Sequence, residues 1–274
     1  MPNDRWIAVS DTHGDHLDTE AWSFVRDFIA DFRPKHRIHL GDAWDFRWLR
    51  SGASNEERAE DVLADIDAGM NLIDEYKPTV FLFGNHDHRL IRGCKDATGV
   101  VRQAHKDLHE QIMRLFNMHG TRVYPYHSFK GVHMLGDLAC IHGYHHGVYA
   151  ARQHAMAYGD CLHGHTHAVD TGSFHNQRAG GAVTGRAIGC LCELDMEYAT
   201  HRTTSMRWQH GFAYGEIRNG KAVICQAVRD RASGEWMLPH FDQSPKSSKR
   251  SSSSPSKKGK TGGTRSRQSP KNSG

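Results

Sequence analysis

No stretch of this 274-residue chain approaches the roughly 18 consecutive apolar residues that would mark a membrane span. Met1-Pro2-Asn3-Asp4-Arg5 has no basic start leading into a long apolar run, so no signal peptide is expected. The six cysteines (94, 140, 161, 190, 192, 225) contain no C-x-x-C pair, which argues against a zinc ribbon or a disulfide scaffold. A reducing cytoplasm is the expected environment. No internal repeat is seen. Residues 244–274 lack acidic, aromatic and aliphatic side chains altogether. Such a segment has too little apolar surface to offset its ordering entropy, so a disordered Ser/Lys/Arg-rich basic tail is expected there. Nine of the 35 Lys/Arg lie in that tail, leaving 26 against 31 Asp/Glu in residues 1–243, a net charge of −5. The formal +4 of the whole chain therefore says nothing about a basic fold.

What the sequence has in excess is histidine: 22 residues, all before position 244. Histidine is the commonest metal ligand, but number alone decides nothing. Position does. Trp6–Val9, Arg37–Leu40 and Thr79–Phe83 are short apolar runs that read as buried strands. Amphipathic helical patterns lie between them, one over 18–32 and one from Ser54 onward, where Glu57 completes a capping box. This β-α-β-α-β order predicts a parallel sheet in the first half. A helix is expected over 100–118, closed by Gly120. Residues 121–228 read as mostly strand, with one helix near 147–158 and a hairpin around Asn219-Gly220. The expected fold class is α/β, with two packed mixed sheets and helices outside, over residues 1–243.

Three strands end in polar clusters: Asp11-Thr12-His13, Gly41-Asp42-Ala43-Trp44-Asp45 and Gly84-Asn85-His86-Asp87. Two later pieces do the same: Ile141-His142-Gly143 and His163-Gly164-His165-Thr166-His167. Ligands of open α/β sheets bind outside the carboxyl ends of the strands, so these residues are expected to converge. About 1.7 copies of D-x-H are expected by chance in this composition, so that piece alone is uninformative. Its second copy, Asp107-Leu108-His109, falls in a predicted helix, where residues two apart point about 200° apart. G-D-x-x-D and G-H-x-H are each expected roughly 0.2 times and G-N-H-D roughly 0.005 times. All five pieces in one order, each after an apolar run, are a specific signal.

In these motifs the sequence resembles the calcineurin-like metallophosphoesterases, over about residues 6–170. It is similar to the branch ending in G-H-x-H, which includes nucleases, phosphodiesterases and small bacterial or phage phosphatases. It departs from the Ser/Thr protein phosphatases, because Phe46-Arg47 follows Asp45 and Asp87 stands where Glu is usual. The resemblance implies a four-layer αββα sandwich and two divalent ions. Asp11, His13 and His167 would hold one, Asn85, His142 and His165 the other, and Asp42 would bridge them. Oxygen and nitrogen donors without cysteine favour Mn, Fe, Zn or Ni. Two ions roughly 3.5–4 Å apart suit phosphoryl transfer. The resemblance also makes His86 a non-ligand catalytic histidine, with Asp45 and Asp87 to orient it or a ligand.

Competing assignments follow. Asp45 and Asp87 can also serve as helix caps or loop acceptors. Arg47, Arg89 and Arg92 lie near the motif loops, as phosphate clamps or as plain surface residues. His88, His145, His146 and His163 neighbour the implied ligands without being counted among them. Trp44 and Trp48 suit loop packing better than base stacking. The expected activity is hydrolysis of a phosphomonoester or of a nucleotide or nucleic-acid diester. Two other classes are a non-catalytic binding module on the same fold and a nucleic-acid-binding protein acting through the basic tail.

Overall fold

The structure is a computed structural model that describes residues 4–55, 61–177, 180–195 and 206–239. The described residues all belong to one compact unit, Met1–Pro239. The basic tail and Glu57 of the expected capping box fall outside the described residues.

Seven strands form the first sheet, in the order β12-β11-β10-β1-β2-β3-β4. β1 (Asp4–Val9), β2 (His36–His39), β3 (Val80–Leu82) and β4 (Arg122–Tyr124) run parallel. On the other side of β1, β10 (Gly211–Arg218), β11 (Lys221–Arg229) and β12 (Trp236–Met237) add on antiparallel. The β10–β11 turn is Asn219-Gly220 with both residues at positive φ, as a two-residue hairpin requires. The second sheet holds β5 (His133–Leu135), β6 (Leu138–Ile141), β7 (Cys161–His163), β9 (Gly181–Ile188) and β8 (Val169–Asn176), in that order. Within it β6, β7 and β9 are parallel.

The two sheets share one apolar layer. Trp6 and Ala8 of β1, Ile38 of β2 and Leu82 of β3 meet Leu138, Cys140, Leu162 and Ile188 of the second sheet. The intervening β1 residues Ile7 and Val9 are also fully buried, because helices cover the outer face. α1 (Thr19–Phe32) lays Phe24, Phe28 and Phe32 on Phe212, Tyr214 and Trp236. α2 (Val62–Tyr76) contributes Tyr76, whose hydroxyl donates to the Ile38 carbonyl. α3 (Asp87–Asp96) and α4 (Gly99–Met118) close the layer around Trp44, Phe81 and Phe116. α5 (Ala150–Tyr158) covers the second sheet so closely that a side chain at Gly172 or Gly185 would strike its backbone.

Of the helix expected from Ser54, Asn55 is helical and residues 56–60 lie outside the described residues. The helix over Val62–Tyr76 has its own cap, the Asp61 carboxylate accepting the N–H groups of Leu63 and Ala64. The helix α3 directly after Gly84-Asn85-His86 has no counterpart in the expected element order. No helix among the described residues is long and apolar enough to cross a membrane.

Candidate metal centre

The five motifs follow strands β1, β2, β3, β6 and β7. These strands belong to the parallel parts of both sheets, so their carboxyl ends open on one edge of the sandwich. Backbone hydrogen bonds join the loops there. The Asp11 N–H donates to the Gly41 carbonyl at 3.0 Å, and those of Thr12 and His13 to the Asp42 carbonyl at 3.0 Å. The Gly164 N–H donates to the His142 carbonyl at 2.8 Å.

The glycines opening three motifs have a spatial reason. A Cβ on Gly84 would lie 2.0 Å from Asp42 Oδ1, and one on Gly164 would lie 2.4 Å from Asp11 Oδ2. Gly41, at φ +112, would bring a Cβ to 2.7 Å from His142 Nδ1. Asp11, His13, Asp42, His165 and His167 all occupy the left-handed region, with φ between 51° and 67°. Each such residue costs about 1–3 kcal/mol, so the strain is concentrated on five of the seven residues implied as ligands.

Each of the two central carboxylates divides its oxygens. Asp42 Oδ1 accepts the His86 N–H at 2.8 Å, while Oδ2 faces His142 Nε2 at 3.3 Å and His13 Nε2 at 4.0 Å. Asp11 Oδ2 accepts the His165 N–H at 2.9 Å. Asp11 Oδ1 is buried without a hydrogen-bond partner, 3.4 Å from His167 Nε2 and 3.9 Å from His13 Nε2. His13 Nε2 and His167 Nε2 approach to 3.1 Å. Asn85 Oδ1 lies 3.0 Å from His142 Nε2. The His142 ring is oriented by its Nδ1–H, which donates to the Leu40 carbonyl at 2.9 Å, so Nε2 is the atom aimed at the centre. Donor atoms of Asp11, His13 and Asp42 all lie within 4.8 Å of one another, as do those of Asp42, His142 and His165. Asp42 thus belongs to both groups. An unpartnered carboxylate oxygen and clustered Nε2 atoms are a donor set that divalent metal fits.

Protonation follows the pairing. Burial depresses His142, but Asp42 outweighs it and holds the imidazole up to about 9. Asp11 does the same for His167, also to about 9 against the effect of burial. Burial, with neighbouring imidazoles adding to it, pushes His13 and His165 down to about 3. Burial opposes ionisation of Asp42, but its histidine partners hold it well below the usual carboxylate range.

Beside this cluster, His86 Nδ1 donates to Asp45 Oδ1 at 2.6 Å, and Arg89 donates to the Asp45 carbonyl at 2.8 Å. Arg89 also reaches His86 Nε2 at 3.3 Å. Asp45, and not Asp87, is the carboxylate on the His86 ring. Asp87 accepts the backbone N–H groups of Asp42, Ala43, Trp44 and Gly84, at 2.8 to 3.2 Å, and so clamps the loop carrying Asp42. Arg47 is turned to Asp15 in a bidentate pair at 2.6 and 2.7 Å, and Arg92 pairs with Asp96 at 3.7 Å on the surface. Trp44 is fully buried, with its indole N–H donated to the Ile66 carbonyl, and Trp48 stacks on His105. His163 is buried, its Nδ1–H donated to the Gly164 carbonyl.

Several contributors carried no legible sequence signal. His39 accepts the Gly41 N–H at Nδ1, so its Nε2–H faces the Thr12 hydroxyl. Asp65 accepts the N–H groups of Asp45 and Phe46. Cys192 Sγ lies 3.8 Å from His167 Nδ1, and His146 Nδ1 lies 3.0 Å from His165 Nε2. Only a distance to an already assigned ligand singles these residues out.

No protein-family model matches the sequence. No curated protein matches it either. Solved structures do. A metallophosphoesterase from Sphaerobacter thermophilus is 15% identical, with a TM-score of 0.43 over 87% of this chain and 89% of that one. The nuclease MPE of Pseudomonas putida is 14% identical, with a TM-score of 0.38 over 85% and 87%. Vacuolar protein sorting 29 from Cryptosporidium parvum is 13% identical, with a TM-score of 0.45 over 88% and 99%. Likeness at this level assigns neither activity nor substrate, so the functional reading rests on the geometry of the site.

Proposed function

We propose that this chain is a two-metal phosphoesterase of the calcineurin-like kind. The observation carrying the proposal is the position of Asp42, whose Oδ2 faces His142 on one side and His13 on the other. Asp11, His13 and His167 would hold one divalent ion, and Asn85, His142 and His165 the second. Bound there, the ions would polarise a phosphoryl oxygen and acidify a water near neutral pH. The protein's own work is positional. Asp45 holds the His86 ring through Nδ1, which leaves Nε2 as the atom that exchanges a proton with the leaving oxygen. Arg89 sits against that Nε2 and on Asp45, so it steadies the pair and must yield Nε2 when the proton moves.

The test is hydrolysis of a chromogenic phosphomonoester and a chromogenic diester in Mn²⁺, with loss of turnover in chelator. Metal content near two ions per chain is expected. Absence of turnover on both esters with Mn²⁺, Ni²⁺, Fe²⁺ and Zn²⁺ would refute the proposal. The nine Lys/Arg of residues 244–274 support a second contact, non-specific binding of nucleic-acid phosphates. Truncation after residue 243 should then flatten the salt dependence of DNA binding; an unchanged slope removes that contact.

A further inference from the structure

Two loops rise beside the His142 and His165 end of the centre, 125–131 between β4 and β5 and 142–149 between β6 and α5. They are tied to each other and to the centre. The Tyr126 ring meets the His142 ring edge-on at 5.7 Å and stacks on Tyr144 at 5.0 Å and 27°. The Tyr144 side chain is hydrogen-bonded to the His127 backbone, and the Tyr158 hydroxyl donates to the Ser128 carbonyl at 3.0 Å. His154 Nε2 accepts the N–H groups of Tyr144 and His145, at 2.9 and 3.2 Å. On this anchored frame two large rings face solvent, Phe129 at 88% and Tyr149 at 68% exposure. An exposed phenyl ring on a flexible loop would mean little. Here the backbone beneath it is held, so the ring is presented rather than merely uncovered.

The two loops carry Lys130, His127, His145 and His146 beside the rings and no carboxylate, whereas residues 1–243 as a whole are acidic. Apolar rings interleaved with a lysine and imidazole N–H groups beside a phosphoester site match the chemistry of an unpaired nucleic-acid strand, whose bases stack and whose backbone is anionic. A duplex hides its base faces and would gain nothing from the rings.

Resting on the phosphoesterase reading, we propose that the 125–131 and 142–149 loops form a stacking rim that selects single-stranded nucleic acid as the substrate of this centre. Phe129 and Tyr149 are the base-contacting residues, with Lys130 and the exposed histidines of the two loops facing phosphate.

The test uses the full chain and a fluorescein-labelled 12-nucleotide single-stranded DNA. Anisotropy is read in chelator at about 0.3 M salt, where attraction to phosphate alone is weak. Phe129→Ala and Tyr149→Ala should each weaken binding about tenfold, and the double variant about a hundredfold. Phe129→Trp should restore the loss at that site. Turnover of a small chromogenic diester by the double variant should stay within about twofold, because neither ring lies in the catalytic machinery. Binding of the matching duplex should not change. Unchanged single-strand affinity in the double variant, with diester turnover intact, overturns the rim and leaves the phosphoesterase reading standing. Absence of diester turnover in the unsubstituted chain with every metal overturns that reading instead. A concentration-dependent dimer that the double variant abolishes, with DNA affinity unchanged, assigns the rings to a second copy of the chain and overturns the rim.

Discussion

Asp87→Ala is the most informative single substitution, because the carboxylate of Asp87 has no polar work except to hold the loop that carries Asp42. Four buried N–H groups converge on it, from Gly84, Asp42, Ala43 and Trp44. Leaving one buried donor unsatisfied costs about 1–3 kcal/mol. Relaxation of the loop and entry of water would recover part of the sum, so a net loss of about 4 kcal/mol is expected. For a body of this size that corresponds to a fall in Tm of about 10 °C. Asp87→Asn keeps one acceptor oxygen but turns an NH₂ toward N–H donors, and should lose about half as much. The assay is thermal and denaturant unfolding in chelator, so that loss of metal adds nothing. Burial and the Asp42 charge also push the Asp87 carboxyl up to about 7 from its usual 3.8. In that window the folded chain binds a proton that the unfolded chain has released. The contribution of this group to stability therefore declines as pH rises from about 4 to 7, and Asp87→Asn should lack that slope. A fall in Tm of under 2 °C for Asp87→Ala would refute the clamp.

Three further outcomes are expected. His142 and His167, each held up to about 9, must lose a proton before Nε2 can bind metal, so Mn²⁺ affinity at each site should rise about tenfold per pH unit between 6.5 and 9. Calorimetry in buffers of different ionisation enthalpy should show proton release, and a pH-independent affinity would contradict the pairing. The same two pairs stabilise the metal-free fold fully below pH 6.5, and that stability is lost as pH rises through about 9, which unfolding in chelator reads directly. Gly84→Ala, whose Cβ would sit 2.0 Å from Asp42 Oδ1 and 2.6 Å from the Asp42 nitrogen, should leave the chain folded but lower metal content well below two ions, as measured by elemental analysis. His86→Ala should keep both metals and lose about 10²–10⁴-fold in kcat; full turnover would remove its catalytic role.

Much of the centre is legible in the sequence, and the reason is local. A parallel strand must end in a loop at its carboxyl edge, and a short apolar run followed by Gly and a polar cluster marks that place whatever the rest of the chain does. Hence Asp11, His13, Asp42, Asn85, His142, His165 and His167 come together where the motif order puts them. The role of Asp87 was not legible in this way. A carboxylate after G-N-H can point to the ring beside it or back into the loop, and backbone N–H groups 43 to 45 residues away decide which. Arg47 is a similar case, since its partner Asp15 comes from the loop after β1.

Local pattern by itself determined most of the strands and helices, though not α3, together with the strand-end positions of the chemistry and the separation of an acidic body from a basic tail in charge. Tertiary structure alone decided which strands are neighbours. The β10–β11 hairpin reads as an ordinary strand pair, yet it joins the first sheet beside β1, some 200 residues earlier, and not the second sheet that precedes it in sequence. The physical cause is side-chain packing, with Phe212, Tyr214 and Trp236 meeting the phenylalanines of α1. Periodicity reports which face of an element is apolar. It carries no information on which distant apolar face will cover it, and that choice also set Cys192 and His146 against the histidines of the centre.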